Sequence, residues 1–78
     1  MPERAVGTLI FFNAGRGFGF LRRDDGGKDV FISRTALSHS GYENDLEVGA
    51  RLSFELRKDD KGRAPRAINI QILAEAPA

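Results

Sequence analysis

Two segments near the end of the chain alternate residue by residue between apolar and polar side chains, which is the pattern of half-buried β-strands. They read RLSFEL, from Arg51, and AINIQIL, from Ala67, and a KDDKG turn lies between them. Alternation with a period of two excludes an amphipathic helix here, because a helix repeats about every 3.6 residues. The segments predict a hairpin whose apolar residues face the core: Leu52, Phe54, Leu56, Ile68, Ile70 and Ile72.

Three earlier segments are also predicted as strands, and turn-forming sequences follow them. Gly7–Asn13 runs into an NAGRG loop, Phe18–Arg22 into an RRDDGG turn, and Val30–Ser33 into a long irregular stretch, 35–49. Only a brief helical turn is expected, near Thr35–Leu37. Five short strands without a long helix predict an all-β fold that closes, or nearly closes, into a small barrel, because closure removes exposed sheet edges.

Length and composition limit the kind of protein this is. The 78 residues predict one domain over 6–73, with flexible ends at 1–5 and 74–78. The chain has no cysteine, which excludes disulfides and thiolate metal sites, and its one histidine, His39, has no evident carboxylate partner. We therefore expect no catalytic residue, no metal site and no cofactor. Because no apolar run approaches the length of a membrane span and MPERAVG lacks the core of a signal peptide, a cytoplasmic protein without a membrane partner is expected.

The phenylalanines are concentrated in FFNAGRGFGFL, and the face on which they lie decides what they do. By alternation Phe18, Phe20 and Phe31 share one face of a hairpin, and Val30 and Ile32 share the other. Two arrangements are open. The rings form the core, as large aromatic side chains usually do, or the β-branched residues fill the barrel and the rings are exposed. The second arrangement leaves an exposed aromatic cluster that needs a partner.

Charge alone does not identify that partner. The formal net charge is +1, from twelve basic and eleven acidic residues. Nine of the twelve are arginine, whose planar group pairs with phosphate and stacks on bases. Exposed rings interleaved with such cations hold single-stranded nucleic acid, because unpaired bases stack on the rings while the cations follow the phosphates.

The segment GTLIFFNAGRGFGFLRRDDGGKDVFISRTAL resembles the cold-shock domain, a family with a five-stranded antiparallel OB-fold barrel that binds single-stranded RNA and DNA. RGFGFL resembles the first ribonucleoprotein motif of that family and DVFIS the second, while GARLSFEL and KGRAPRAINI fit its last two strands. RGFGF by itself would also fit an RNA-recognition motif domain, which carries it on a late strand after a helix. Here no helix precedes it.

The resemblance implies that ten residues form a nucleic-acid site. Three match the base-stacking rings of the family: Phe18, Phe20 and Phe31. The others are a fourth ring, polar residues and cations: Phe11, Asn13, Arg16, Ser33, Arg34, Lys61 and Arg63. Of the last two, either one could be the basic residue of the final hairpin, because that segment does not align uniquely.

Three positions depart from the family pattern. Phe11 stands where a tryptophan is usual, Ser33 where a histidine is typical, and Arg34 where a phenylalanine is typical. Arg34 could stack through its guanidinium plane or contact phosphate. The departures predict weaker binding with an altered base preference. The family role as an RNA chaperone or a transcription-associated regulator is what the resemblance implies beyond binding.

A rival interpretation comes from a different class of protein. A small barrel with an aromatic face could be an interaction module that binds a peptide, as SH3-like barrels do. Tyr42, in the long loop, could add a stacking ring or anchor the loop, and the sequence leaves both open. The oligomeric state is not determined by the sequence, and a monomer is the default expectation.

Overall fold

The computed structural model describes residues 4–42, 46–58, 61–62 and 64–75. Within them the chain forms five strands and one short helix: β1 (Arg4–Asn13), β2 (Phe18–Arg23), β3 (Val30–Ser33), α1 (Arg34–His39), β4 (Arg51–Arg57) and β5 (Arg66–Ala74). Arg4, Ala5 and Ala74 are paired in the sheet, although the sequence assigned them to the ends of the chain. No helix among the described residues is long and apolar enough to cross a membrane.

The strands close into a barrel in the order β1-β2-β3-β5-β4, so the predicted all-β barrel is confirmed. Four neighbouring pairs are antiparallel, and β3 and β5 are parallel. The predicted antiparallel barrel is therefore mixed at one position, between β3 and β5. A closed ring with an odd number of strands cannot alternate direction all the way round, so one neighbouring pair must run in the same direction. Here Phe31 is aligned with Arg66 across that parallel pair.

The interior is aliphatic with a single fully buried aromatic ring. Seven large side chains are fully buried: Phe54, Leu9, Leu21, Ile32, Leu37, Leu52 and Val30. Ile70 is also buried, while Leu56 and Ile72 are partly buried and pack against the core. Five of the six apolar residues that alternation assigned to the core in β4 and β5 thus lie in it or against it.

Ile68 is the exception, because β5 does not alternate regularly. One extra residue of β5 lies opposite β4 at this level, and Asn69 within this bulge has a φ of 48°, in the left-handed region. The extra residue brings Ala67 and Ile70, three positions apart, to the interior, where they are 1% and 2% exposed. Ile68 therefore lies half-buried on the outer surface.

Helix α1 covers the end of the barrel beyond β3 and is longer than the turn expected there. Its N-cap is Ser33, whose hydroxyl accepts a hydrogen bond from the backbone N–H of Ala36 at 3.1 Å. Leu37 is 1% exposed and adds to the core. Tyr42, after the helix, anchors its loop, because its hydroxyl accepts a hydrogen bond from the backbone N–H of Ile72 at 3.0 Å.

Candidate nucleic-acid interface

The rings of Phe18, Phe20 and Phe31 lie on the outer face of the barrel. The residues that alternate with them, including Val30 and Ile32, are buried, whereas the three rings are half-buried and outside the core cluster. Phe20 and Phe31 are directly opposite each other across β2 and β3. Of the two arrangements left open by the sequence, the structure therefore has the aliphatic interior and the aromatic exterior.

A bulge in β1 adds a fourth ring to the same face. Leu9 and Phe11 are two positions apart, so strict alternation would place both on one side of the strand. Leu9 pairs with Leu21 but Phe11 pairs with Phe20, which leaves Ile10 as an extra residue. The side of the strand changes there, so Leu9 is fully buried while Phe11 is 45% exposed. We call the surface formed by Phe11, Phe18, Phe20 and Phe31 the ring surface.

The four rings contact one another in several orientations. The Phe18 and Phe31 rings are stacked, with centroids 5.7 Å apart and planes 14° apart. Phe20 meets both of them edge-on, at 6.1 Å and 5.9 Å. The Phe11 centroid lies 5.9 Å from that of Phe18 and 6.3 Å from that of Phe20. The result is a continuous aromatic surface with ring faces and edges at different angles, rather than four isolated exposed side chains.

The close approach of β1 to β2 beneath this surface depends on Gly19. A Cβ atom at this position would collide with the backbone oxygen of Phe11 and lie 2.8 Å from a ring carbon of Phe12. Phe12 is half-buried and packs against the core at this point. Gly19 thus allows Phe12 to pack against the core while β2 stays within hydrogen-bonding distance of β1.

Asn13 and Arg16 lie in the turn between β1 and β2. The Asn13 backbone oxygen accepts from the N–H groups of Arg16 and Gly17, at 3.2 Å and 2.7 Å, and its side-chain oxygen also accepts from the Arg16 N–H. Gly17 has a φ of 74°, which favours glycine. Asn13 therefore shapes the turn, in which Arg16 is exposed.

Two positions that depart from the family pattern, Ser33 and Arg34, make structural contacts. Ser33 is half-buried and caps α1. The Arg34 guanidinium donates to the backbone oxygen of Ala14 at 2.6 Å, and its backbone N–H donates to that of Gly17 at 2.8 Å. Arg34 thus ties the start of α1 to the turn that carries Arg16.

Arg66 belongs to the same surface and was not among the predicted site residues. Its guanidinium carbon lies 5.8 Å from the centroid of the Phe31 ring, within cation–π range. The contact arises because Phe31 and Arg66 are neighbours across the one parallel strand pair, which local sequence patterns do not reveal. Lys61, in the last hairpin, is exposed, and Arg63 lies outside the described residues.

Other arginines are held by carboxylates. Such pairs among the described residues include Arg4 with Glu55, Arg23 with Asp25, and Arg51 with Asp24. The hydrogen bond from Arg51 lowers the pKa of Asp24 below its ordinary value. The pKa of Asp25 is also lowered, first by the backbone N–H of Gly27 and then by Arg23. Asp25 thus forms the turn before β3, where it accepts from Gly27 at 2.9 Å.

A closed five-stranded barrel with an aromatic, arginine-flanked outer face is the architecture of small OB-fold proteins that bind nucleic acid. Residues 5–73 match the family model of the 'Cold-shock' DNA-binding domain, and the chain therefore belongs to the cold-shock domain family. Membership makes it a nucleic-acid-binding protein and not an enzyme.

Curated relatives agree with this assignment over most of their length. The chain is 43% identical over 67 residues to the probable cold shock protein y4cH of Sinorhizobium fredii, which covers 86% of this chain and 96% of the relative. It is 39% identical over 62 residues to the cold shock-like protein CspA of Shewanella violacea, covering 80% and 87%. It is 36% identical over 73 residues to the cold shock-like protein CspB of Yersinia pestis, covering 94% and 100%.

Proposed function

We propose that this protein binds single-stranded RNA and DNA by stacking unpaired bases on the ring surface. The observation that carries the proposal is the position of four phenylalanine rings outside a barrel whose interior is already filled. Stacking of one base on an aromatic side chain contributes about 1–3 kcal/mol. Bases in a duplex already stack on each other, so the ring surface favours unpaired strands.

Cations at the margins of the ring surface contact the phosphates in this proposal. Arg16 is exposed at the β1–β2 turn, Lys61 is exposed in the last hairpin, and Arg66 lies over Phe31. Arg34 contributes by holding the turn that carries Arg16. We also assign Asn13 and Ser33 to the site, where they shape its edges through the turn and the helix cap.

The test is a fluorescence-anisotropy titration with labelled oligothymidylate and a duplex of equal length, because the chain has no tryptophan to report binding. We expect clear preference for the single strand and a plot of log K against log salt with a slope near −2, from about 0.7 per phosphate and three contacts. Equal affinity for the duplex, or a slope steeper than about −5, would contradict stacking as the main source of affinity. Binding of a proline-rich peptide but of no oligonucleotide would support the peptide-module alternative.

The proposal extends to a role as an RNA chaperone or a transcription-associated regulator in the cytoplasm. A ligand that binds unpaired bases more tightly than paired ones shifts a hairpin toward its open form. A hairpin labelled with a fluorophore and a quencher should therefore brighten as protein is added, and less so with Phe18→Ala. Binding without any opening of a marginally stable hairpin would count against the chaperone role while leaving single-strand binding intact.

A further inference from the structure

A groove of about 590 Å³ lies beside the ring surface, and its described lining includes none of Arg16, Arg34 and Lys61, the described cations that the sequence assigned to the site. We call it the α1–β5 groove, because α1 forms one wall and the start of β5 the other. Phe31 lines it as well, so the groove is continuous with the ring surface. Arg66 is part of both, since it lines the groove and lies over the Phe31 ring.

Among the described residues, the ionisable side chains that line the groove are those of Arg57, Lys58, Arg66 and His39. No carboxylate of the described residues lines the groove or pairs with Arg57, Lys58 or Arg66. These cations therefore differ from Arg4, Arg23 and Arg51, which have acidic partners. The groove therefore favours an anionic ligand.

Apolar side chains also line the groove, and one of them is there because of the bulge in β5. Ala36 of α1 and Ile68 of β5 line the groove, and Ile68 faces outward only because the extra residue at Asn69 breaks the alternation. Apolar side chains next to cations match a ligand in which sugars alternate with phosphates. An acidic peptide would match the charges without making use of the contact with an aromatic surface.

We propose that the α1–β5 groove binds the sugar-phosphate backbone of nucleotides that flank the bases held on the ring surface. The inference rests on the proposed function, because it needs a strand whose bases are already stacked on Phe31 and its neighbours. A strand that runs past Phe31 meets Arg66 first and then Arg57 and Lys58. Longer strands gain affinity from this groove, and very short ones do not reach it.

The experiment compares a groove variant, Arg57→Gln with Lys58→Gln, with a charge-matched control, Arg4→Gln with Lys28→Gln. Each variant loses one arginine and one lysine, and Arg4 and Lys28 do not line the groove. Both are titrated with labelled oligothymidylates of about 4 and about 10 nucleotides, lengths within the range that single OB-folds bind. Thermal melts of both variants check that each one is folded.

We expect the groove variant to bind the longer strand roughly tenfold more weakly than the wild type, as two exposed ion contacts would give. On the longer strand the groove adds two phosphate contacts to the three at the ring surface, so the wild-type salt slope should be about −3.5 and that of the variant shallower by about 1.4. Binding of the shorter strand should not change. The groove is refuted as an extension of the site if the longer strand loses no more affinity than in the control, if both strands lose equally, or if the groove variant loses affinity for polyglutamate but not for the longer strand.

Failure of the proposed function is distinguishable from failure of this inference. Single-strand binding by the wild type, and its loss in Phe18→Ala, report on the ring surface with the shorter strand alone. A wild type that binds neither strand would refute both proposals. A wild type that binds both strands, with no effect of the groove variant, would refute only the groove.

Discussion

Replacing Phe31 by alanine tests whether the rings serve binding or stability. Phe31 contacts two other rings, Phe18 at 5.7 Å and Phe20 at 5.9 Å, and the guanidinium of Arg66 at 5.8 Å. Phe54 is the matched control, because it is the phenylalanine that is fully buried in the barrel, 0% exposed. The two substitutions remove the same side chain from opposite faces of one sheet.

The magnitudes follow from these contacts. An aromatic pair contributes about 0.5–1.5 kcal/mol beyond its buried area, and an exposed cation–π contact about 0.5–1 kcal/mol. Phe31→Ala should therefore lower the free energy of unfolding by roughly 2 kcal/mol and weaken binding by about 1–3 kcal/mol, since a base loses its stacking partner. Phe54→Ala should lower the free energy of unfolding by about 3–5 kcal/mol and leave the affinity of the folded fraction unchanged.

Two measurements check this prediction: urea denaturation for stability and anisotropy titration for binding. Phe31→Leu and Phe54→Leu are milder versions that keep apolar volume, so the comparison stands even if Phe54→Ala does not fold. Phe31→Leu should lose most of the binding energy with little loss of stability, because leucine offers no ring to stack on. The reasoning is refuted if Phe31→Ala destabilises the fold as much as Phe54→Ala, or if Phe31→Leu binds like the wild type.

Three further predictions concern residues that support the barrel and the ring surface. Gly19→Ala should destabilise the fold by roughly 1–3 kcal/mol in thermal melts, because the added methyl group collides with the backbone of β1. The control, Gly15→Ala, should be tolerated, because its added carbon would lie no closer than 3.4 Å to another atom. Equal destabilisation by the two substitutions would contradict this packing. The pKa of Asp24 is lowered in the folded state by Arg51, so its contribution to stability is present above the unfolded pKa, near 4, and is lost as the pH falls through the folded pKa. Urea denaturation of Asp24→Asn should therefore show a smaller loss of stability below about pH 4 than the wild type does, and an unchanged profile would argue against the ion pair. Arg34→Ala should cost more free energy of single-strand binding than of unfolding, because it releases the turn that carries Arg16, a proposed phosphate contact. Loss of folding in thermal melts would show that Arg34 is structural only.

Alternation grouped the residues of β2 and β3 by face correctly because these strands are regular, although it left open which face is buried. Phe31 alternates with Val30 and Ile32, and the β-branched pair is buried. The prediction for Ile68 was wrong, and the face of Phe11 was not predictable by alternation, because each lies at or beside a bulge. A bulge adds one residue to a strand, and that residue carries no compositional signal. The position of these two side chains is fixed by pairing with another strand.

Long-range contacts explain why the roles of some site residues were not apparent either. Ser33 and Arg34 were assigned to the ligand through the resemblance, and their contacts in the structure are with α1 and with Ala14. Arg34 reaches an oxygen twenty residues away in sequence, and Arg66 reaches Phe31 across the parallel pair. Neither contact is apparent from a local sequence pattern, because the partners are far apart in sequence. The residue types indicated a nucleic-acid site, whereas the partner of each side chain depends on how the barrel closes.

A net charge of +1 is compatible with a nucleic-acid-binding face because the charges are arranged unevenly. Acidic partners hold Arg4, Arg23 and Arg51. Around α1 the arrangement is different: a second groove of about 420 Å³, lined by Arg16 and Arg34 among others, shares Thr35 and His39 of the helix with the α1–β5 groove. Within the part of the chain that the structure describes, no carboxylate lines either groove. A strand that follows these two grooves meets a local excess of cations, while the whole protein remains close to neutral. In the proposed function, its non-specific attraction to duplex nucleic acid is therefore weak, and the rings select unpaired strands.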